Sequence, residues 1–262
     1  MINLYNEDCL EKMKDIPDKT IDMILCDLPY GTTSCRWDTV IDFNLLWEQY
    51  KRIIKKNGAV VLFGQEPFSS KLRMSNLKMY KYDWVWKKSN PSNIAQANKQ
   101  PMRYHELISV FYQKQPTYNK QMIPRSKNGH RAMTWQQKSG KPFVNRTSNQ
   151  TGLKYIEVDA YKYNPNLKNP SSVLEFDSLR PTSNEFVSWH ATQKPVNLLE
   201  HLIKTYTDPG ELVLDNCMGS GSSGIACMNL KRKFIGIELD TDIFLKACKR
   251  LDNHKTQLQL PL

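Results

Sequence analysis

The feature that most constrains the fold is a strand, a helix and a second strand in immediate succession near the C-terminal end of the chain. ELVLD and FIGIELD are short apolar runs typical of buried strands, and SSGIACMNL between them is typical of a helix. A helix that joins two strands in this way makes a βαβ unit, whose strands run parallel. The sequence therefore predicts a parallel α/β sheet.

The first third of the chain repeats this alternation. IDMILCD and AVVLFG predict buried strands, and FNLLWEQYKRII between them predicts an amphipathic helix that Asn57-Gly58 ends. YDWVWK and ELISVFY are two further strand candidates, rich in β-branched and aromatic residues. Both ends of the chain thus favour one α/β fold, with residues 1–112 and 189–262 forming a single domain.

The middle of the chain, residues 113–188, is polar and basic and has no clear periodicity. The chain carries a formal net charge of +11, and no acidic residue occurs between Glu106 and Glu157. This pattern predicts a phosphate-binding surface, although a solvated loop region is the alternative. The candidate DNA-binding residues are Lys120, Arg125, Lys127, Arg131, Lys138 and Lys141.

Several protein classes are disfavoured by the same sequence. No apolar run reaches the roughly 18 residues of a membrane span, so we expect no membrane partner. The N-terminus does not resemble a secretion signal, and we expect a cytoplasmic protein. The six cysteines contain no CxxC pair and several lie in apolar runs, which favours buried thiols over disulfides or a metal site.

A glycine-bearing loop follows the strand that ends at Asp215. Gly219 and Gly221 permit a tight turn with close backbone approach, and Glu238 ends the next strand, where an acid binds ribose hydroxyls in nucleoside-binding βαβ units. The pattern predicts a nucleoside cofactor. GSGSSG also fits GxGxxG, so spacing alone leaves a dinucleotide open.

The tetrapeptide DLPY, residues 27–30, follows the first predicted buried strand. Together with the Asp215 loop, it resembles the signature of the amino-methylating DNA methyltransferases that use S-adenosylmethionine, written (D/N/S)PP(Y/F/W) and DPFxGSG. NEDCLEKM, GAVVLFG and HATQKPVNLLEHLI resemble further segments of that family. The sequence departs from these two signatures at two places: Leu28 replaces the first proline, and Asn216-Cys217 replaces Pro-Phe.

This resemblance implies a Rossmann-like S-adenosylmethionine-dependent methyltransferase fold, with a seven-stranded, mostly parallel sheet, helices on both faces and an inserted target-recognition region at 113–188. The order of motifs resembles the family's β arrangement. The catalytic residues it implies are Asp27, Leu28, Pro29 and Tyr30. The cofactor-binding residues it implies are Asp8, Cys9, Lys194, Pro195, Asp215, Asn216, Gly219, Gly221 and Glu238.

The same motif suggests how the chemistry works. The exocyclic amine of a base is a poor nucleophile because its lone pair is delocalised into the ring. The Asp27 carboxylate and the Leu28 carbonyl can accept its hydrogens, and Tyr30 can stack on a base flipped out of the duplex. Because Leu28 keeps the carbonyl, we expect activity to survive the loss of proline. Aspartate at the first position favours adenine N6, with cytosine N4 as the alternative.

Other interpretations stay open at this point. Asp27 and Asp8 can be helix caps, and His105, His190 and His201 are expected to be structural. The chain can also be a nucleic-acid-binding module with a vestigial cofactor site, or a methyltransferase for RNA or a protein glutamine. The expected partner is double-stranded DNA, and the family resemblance adds a homodimer and a cognate restriction endonuclease in a prokaryotic or phage-encoded setting.

Overall fold

The computed structural model describes residues 1–31, 38–125, 166–190 and 192–259. Its contacts divide the chain into two compact units. The larger unit consists of Met1–Asn119 and of the chain from Ser172 onward, and the smaller unit is Lys120–Ser171.

The larger unit is built on one sheet. The strands of the described chain are β1 (Ile2–Asn6), β2 (Ile21–Cys26), β3 (Ile54–Gly64), β4 (Tyr80–Lys87), β5 (His105–Phe111), β6 (Ile123–Pro124), β7 (Leu167–Lys168), β8 (Val173–Glu175), β9 (Leu212–Asp215) and β10 (Lys233–Glu238). The main sheet has the order β1-β10-β9-β2-β3-β5-β4-β8. Only β5 runs antiparallel to its neighbours among these strands, so the prediction of a mostly parallel sheet is confirmed.

The expected number of seven strands is too low for the described residues, because the main sheet has eight. The additional strand is β8, which pairs in parallel with β4 from Val85 to Lys87. It has only three residues and lies in a stretch without periodicity, and so short a segment cannot show the alternation that marks a strand.

Helices cover both faces of the sheet, as predicted. They are α1 (Cys9–Lys14), α2 (Phe43–Ile53), α3 (Phe68–Ser75), α4 (Val196–Tyr206), α5 (Ser222–Asn229) and α6 (Thr241–Gln259). On β2, Ile24 and Cys26 point into a core shared with α1, α2 and α3, whereas Met23 and Leu25 point into a second core shared with α4, α5 and α6. This alternation explains why the β2 sequence is apolar from Met23 to Cys26: this part of the strand is buried on both faces.

Asn57-Gly58 does not end the helix, contrary to the sequence prediction. Helix α2 ends at Ile53, and Asn57-Gly58 lies within β3. The pairing of β2 with β3 shifts there, since Ile21 faces Ile54 but Met23 faces Ala59. A Cβ at Gly58 would lie 2.8 Å from the Asp22 carbonyl oxygen. The glycine is therefore required by the close approach of two strands at a bulge.

The smaller unit contains a two-stranded antiparallel sheet in its described part, formed by β6 and β7. Across the described ranges, no helix combines the length and the apolar character needed to cross a bilayer.

Candidate functional site

Four parallel strands end side by side, and each is followed or ended by an acid. Glu238 ends β10, which lies between β1 and β9, and Asp215 ends β9 beside β2. Asp8 follows β1, and Asp27 follows β2. All four acids line one cavity of about 790 Å³. Sheet order therefore brings together acids that are far apart in the sequence, at the edge where α/β folds bind ligands.

The segment Asp27–Tyr30 forms one wall of the cavity. The Tyr30 hydroxyl donates to Asp27 Oδ1, and the Tyr30 ring packs against Phe68 with ring centroids 4.9 Å apart. Leu28 is 3% exposed, and its side chain belongs to the core that includes α2 and α3. An apolar side chain in place of proline thus contributes packing at this position.

The Asp27 carboxylate is the partly exposed end of a row of charges whose other members are largely buried. Lys194 Nζ donates to Asp27 Oδ2 and lies 3.4 Å from Glu106 Oε2, while Lys88 Nζ donates to Glu106 Oε1 at 3.0 Å. Burial raises the pKa of Asp27, and the Lys194 ammonium opposes that rise. The two lysines also hold the pKa of Glu106 below its usual value.

Glu106 and Lys88 were not predicted from the sequence as site residues. Lys88 directly follows β4 and Glu106 lies on β5, and the pairing of these antiparallel strands sets Trp86 opposite Glu106. The only sequence signal was that Glu106 is the last acid before the basic middle. That signal says nothing about burial.

The side chain of Asp215 holds the loop that follows this residue. Asp215 Oδ1 accepts from the Cys217 backbone N–H at 3.2 Å, and Oδ2 accepts from Ser223 Oγ at 2.6 Å. Gly219 and Gly221 have φ of +48° and +75°, as the tight turn into α5 requires. The loop geometry agrees with the predicted role of both glycines in shaping a site.

Glu238 joins this loop to the next one. Its Oε2 accepts from the Gly219 N–H at 2.9 Å, and its Oε1 accepts from the Asp240 N–H at 3.0 Å. Each carboxylate oxygen keeps a second lone pair, so the side chain can still accept hydrogen bonds from hydroxyl groups of a ligand.

The Asn216-Cys217 departure from the family pattern has a local explanation. Asn216 Oδ1 accepts from the Tyr50 hydroxyl of α2 at 2.5 Å, and Asn216 Nδ2 lies 3.5 Å from the sulfur atoms of Cys9 and Cys217. The buried amide therefore has partners for both of its polar atoms.

The other predicted cofactor residues fall into two groups. Asp8 accepts from the Leu10 and Glu11 N–H groups as the N-cap of α1, and it also lines the cavity together with Cys9, Lys194 and Asn216. Pro195 precedes α4, and Pro195 and Gly221 are not among the described residues that line the cavity. The cofactor role of each residue stays a prediction.

Only part of the predicted DNA-binding set can be placed. Lys127, Arg131, Lys138 and Lys141 lie outside the described residues. Lys120 is exposed, and Arg125 Nη2 donates to the Leu167 carbonyl at 3.0 Å within the smaller unit.

Asp215→Asn is expected to stabilise the folded protein near neutral pH. Burial raises the pKa of Asp215 to about 6, so the ionised carboxylate opposes folding above that pH and the opposition fades as pH falls from 6 toward 3.8. The asparagine, which cannot ionise, should add on the order of 2–3 kcal/mol to the free energy of unfolding at about pH 7.5. At about pH 4.5 the gain should fall to roughly one third of that value. Thermal unfolding of both proteins at the two pH values measures it, and a less stable variant at the higher pH would contradict the prediction.

Several known proteins are similar to this chain. A family model described as DNA methylase matches residues 21–249. The chain is 29% identical to the DNA adenine methyltransferase YhdJ of Escherichia coli (strain K12), over 95% of this chain and 82% of that protein. It is 27% identical to the Type II methyltransferase M.HinfI of Haemophilus influenzae, over 93% of this chain and 66% of that protein. Among solved structures, the M1.HpyAVI-SAM complex aligns with a TM-score of 0.63 and 25% identity, over 96% of this chain and 100% of that chain.

Proposed function

The chain belongs to the DNA methylase family, and from this premise we propose that it transfers a methyl group from S-adenosylmethionine to the N6 amine of adenine in DNA. The observation that carries the proposal is the placement of Asp27–Tyr30 beside the Asp215 loop and Glu238 at adjoining strand ends of one cavity. The M1.HpyAVI structure, a complex with SAM, supports the choice of cofactor.

The residues of the cavity fit this cofactor. Glu238 offers carboxylate lone pairs for ribose hydroxyls. Gly219 lines the cavity without a side chain, so its backbone can approach a ligand closely, and a Cβ there would also collide with His190. We assign Asp8, Cys9, Asp215, Asn216 and Gly219 to the same cofactor pocket because they line the cavity around Glu238. The bound cofactor supplies an electrophilic methyl group on a sulfonium.

The protein's own task is to activate the amine. Asp27 accepts a hydrogen bond from the exocyclic N–H, which draws the nitrogen toward tetrahedral geometry and localises its lone pair. The Leu28 carbonyl is the second acceptor in this proposal, and Pro29 limits the conformations of the turn that carries it. Tyr30 lines the cavity beside Asp27 and offers a ring face to the flipped base.

The choice of adenine rests on two observations. Aspartate opens the tetrapeptide, and the E. coli relative is named a DNA adenine methyltransferase. DNA methylated by the purified protein, digested to nucleosides and measured by mass spectrometry, should contain N6-methyladenine. If N4-methylcytosine is the sole methylated product, the base assignment is wrong.

Target recognition is assigned to the middle of the chain, residues 113–188. We place most of it in the smaller unit, Lys120–Ser171, because Val173–Glu175 form β8 of the main sheet. The basic residues of this unit would contact the phosphates of DNA.

Neutralising Lys120, Lys127 and Arg131 together is expected to weaken DNA binding and to flatten its salt dependence. Each lost phosphate contact should reduce the slope of log K against log salt by about 1. Arg125 is left intact because it donates to a backbone carbonyl. Fluorescence anisotropy over a salt series measures the slope, and an unchanged slope would assign these charges to solvation.

The cellular setting follows from the same relatives. M.HinfI is named a Type II methyltransferase, so we propose a cytoplasmic protein of a prokaryote whose cognate partner is a restriction endonuclease. A homodimer on double-stranded DNA is part of this proposal, and light scattering of the purified protein tests it.

A further inference from the structure

Four charged side chains form a continuous row beside the proposed catalytic segment. In this charged row, Lys88 contacts Glu106, Glu106 contacts Lys194, and Lys194 contacts Asp27. Their side chains are 6%, 14%, 9% and 26% exposed in that order. The row comes from four separate parts of the fold, the ends of β4 and β2, the start of β5 and the loop before α4.

Stability alone is a poor explanation for such a row. Removing two charges from water is costly, and buried ion pairs are often no more stabilising than apolar residues of similar size. The positive and negative charges of the row balance, so the structure tolerates it. Its position suggests a role, because the row ends on the carboxylate proposed to accept the amine hydrogen.

Burial and neighbouring acids favour the neutral form of Asp27, whereas the Lys194 ammonium and the Tyr30 hydroxyl favour its ionised form. Partial burial of the carboxyl and the charge of Glu106 on β5 raise its pKa, as Asp27 in turn raises the pKa of Asp215 on β9. The Tyr30 hydroxyl donates to Asp27 from the same segment. Lys194 supplies the contacting positive charge. A protonated carboxyl presents a donor in place of an acceptor, and it activates an amine poorly.

We propose that Lys194 is a positioning residue for methyl transfer, which holds the Asp27 carboxylate ionised and oriented through Oδ2, and that Glu106, itself held by Lys88, fixes the Lys194 ammonium. This inference rests on the proposed function and deepens it. Lys194 also lies 5.3 Å from the centroid of the Phe63 ring, which restricts the ammonium from a further side.

The pH dependence of single-turnover methyl transfer, at saturating DNA and cofactor, tests the role. Loss of the ammonium in Lys194→Met should raise the pKa of Asp27 and move the acidic limb of the profile to higher pH by about 1–3 units. The variant should therefore be slow near neutral pH and recover in alkaline solution. Lys194→Arg keeps the charge and should leave the limb close to its wild-type position.

Two controls accompany these variants. Lys87→Met makes the same substitution at an exposed lysine that is paired with Glu175 outside the charged row, and its acidic limb should coincide with that of the wild type. A role at the amine replaces the cofactor role predicted for Lys194 from the sequence. The dissociation constant of S-adenosylmethionine, measured by calorimetry, should therefore stay within about threefold in all variants.

Glu106→Gln provides a test of opposite sign. It removes the negative charge that disfavours ionisation of Asp27 but keeps an amide oxygen that can still accept from Lys194, so the acidic limb should move to lower pH by about half a unit to one unit. This variant also decides the matter if thermal unfolding shows that Lys194→Met does not fold. An acidic limb that stays in place or moves to higher pH would overturn the proposal.

The remaining outcomes distinguish a failure of the proposed function from a failure of the positioning role of Lys194. A wild-type protein that methylates no DNA base would refute the proposed function itself. An active wild type with a Lys194→Met variant that is slowed equally at every pH, or that mainly loses cofactor affinity, would refute only the positioning role.

Discussion

Asp27→Ala is expected to reduce the single-turnover rate of methyl transfer to DNA by about 10²–10³-fold, the loss typical when one charge-stabilising group is removed from an active site. The carboxylate is the acceptor proposed to make the amine nucleophilic, and alanine leaves no acceptor in its place. Cofactor affinity should remain within about threefold, because Glu238 and the Asp215 loop are assigned to cofactor binding.

Asp27→Asn separates acceptor geometry from charge. Its amide oxygen can still accept one hydrogen bond, but the neutral amide cannot form an ion pair with the Lys194 ammonium. We expect an intermediate rate. Asp18→Ala is a matched control, since Asp18 is an exposed carboxylate paired with Arg52 and should leave the rate unchanged. Loss of cofactor affinity in Asp27→Ala as large as its loss of rate would contradict the assigned division of roles.

Glu238→Ala is expected to weaken S-adenosylmethionine binding by about 100-fold, because hydrogen bonds to charged groups contribute roughly 1.5–3 kcal/mol each. The alanine also releases the Gly219 and Asp240 N–H groups that Glu238 holds. At saturating cofactor, the single-turnover rate should return to near the wild-type value, since Glu238 is not assigned to the amine.

Isothermal titration calorimetry measures this loss directly. Asp242→Ala serves as the control, because Asp242 is an exposed acid in the first turn of α6, close in sequence to Glu238. Unchanged affinity in Glu238→Ala, or a low rate that saturating cofactor does not restore, would remove Glu238 from the cofactor site.

Much of the fold was predictable because its signals are local. The apolar runs of β2, β9 and β10 are buried on both faces of the sheet, so burial leaves a continuous signature in the sequence. β8 and the bulge at Asn57-Gly58 were not predicted, because each depends on the strand that pairs with it. An Asn-Gly pair reads the same at a helix end and at a bulge.

The sequence alone is enough to define the chemistry available at the strand ends. DLPY, the glycine loop after Asp215 and the acid at Glu238 are each contained in a few residues, and the turn and the acceptor groups they provide do not depend on distant neighbours. The family resemblance followed from those residues, and the family comparison confirmed it.

Which charges surround Asp27 depends on the tertiary structure. Lys194 is separated from Asp27 by 167 positions, and Lys88 and Glu106 come from a pair of antiparallel strands on the far side of β3. Burial also acts through the whole fold, because it sets how strongly each charge is felt and therefore whether Asp27 is ionised. A sequence identifies an acidic residue, but the packed sheet determines the protonation state and the partners of its side chain.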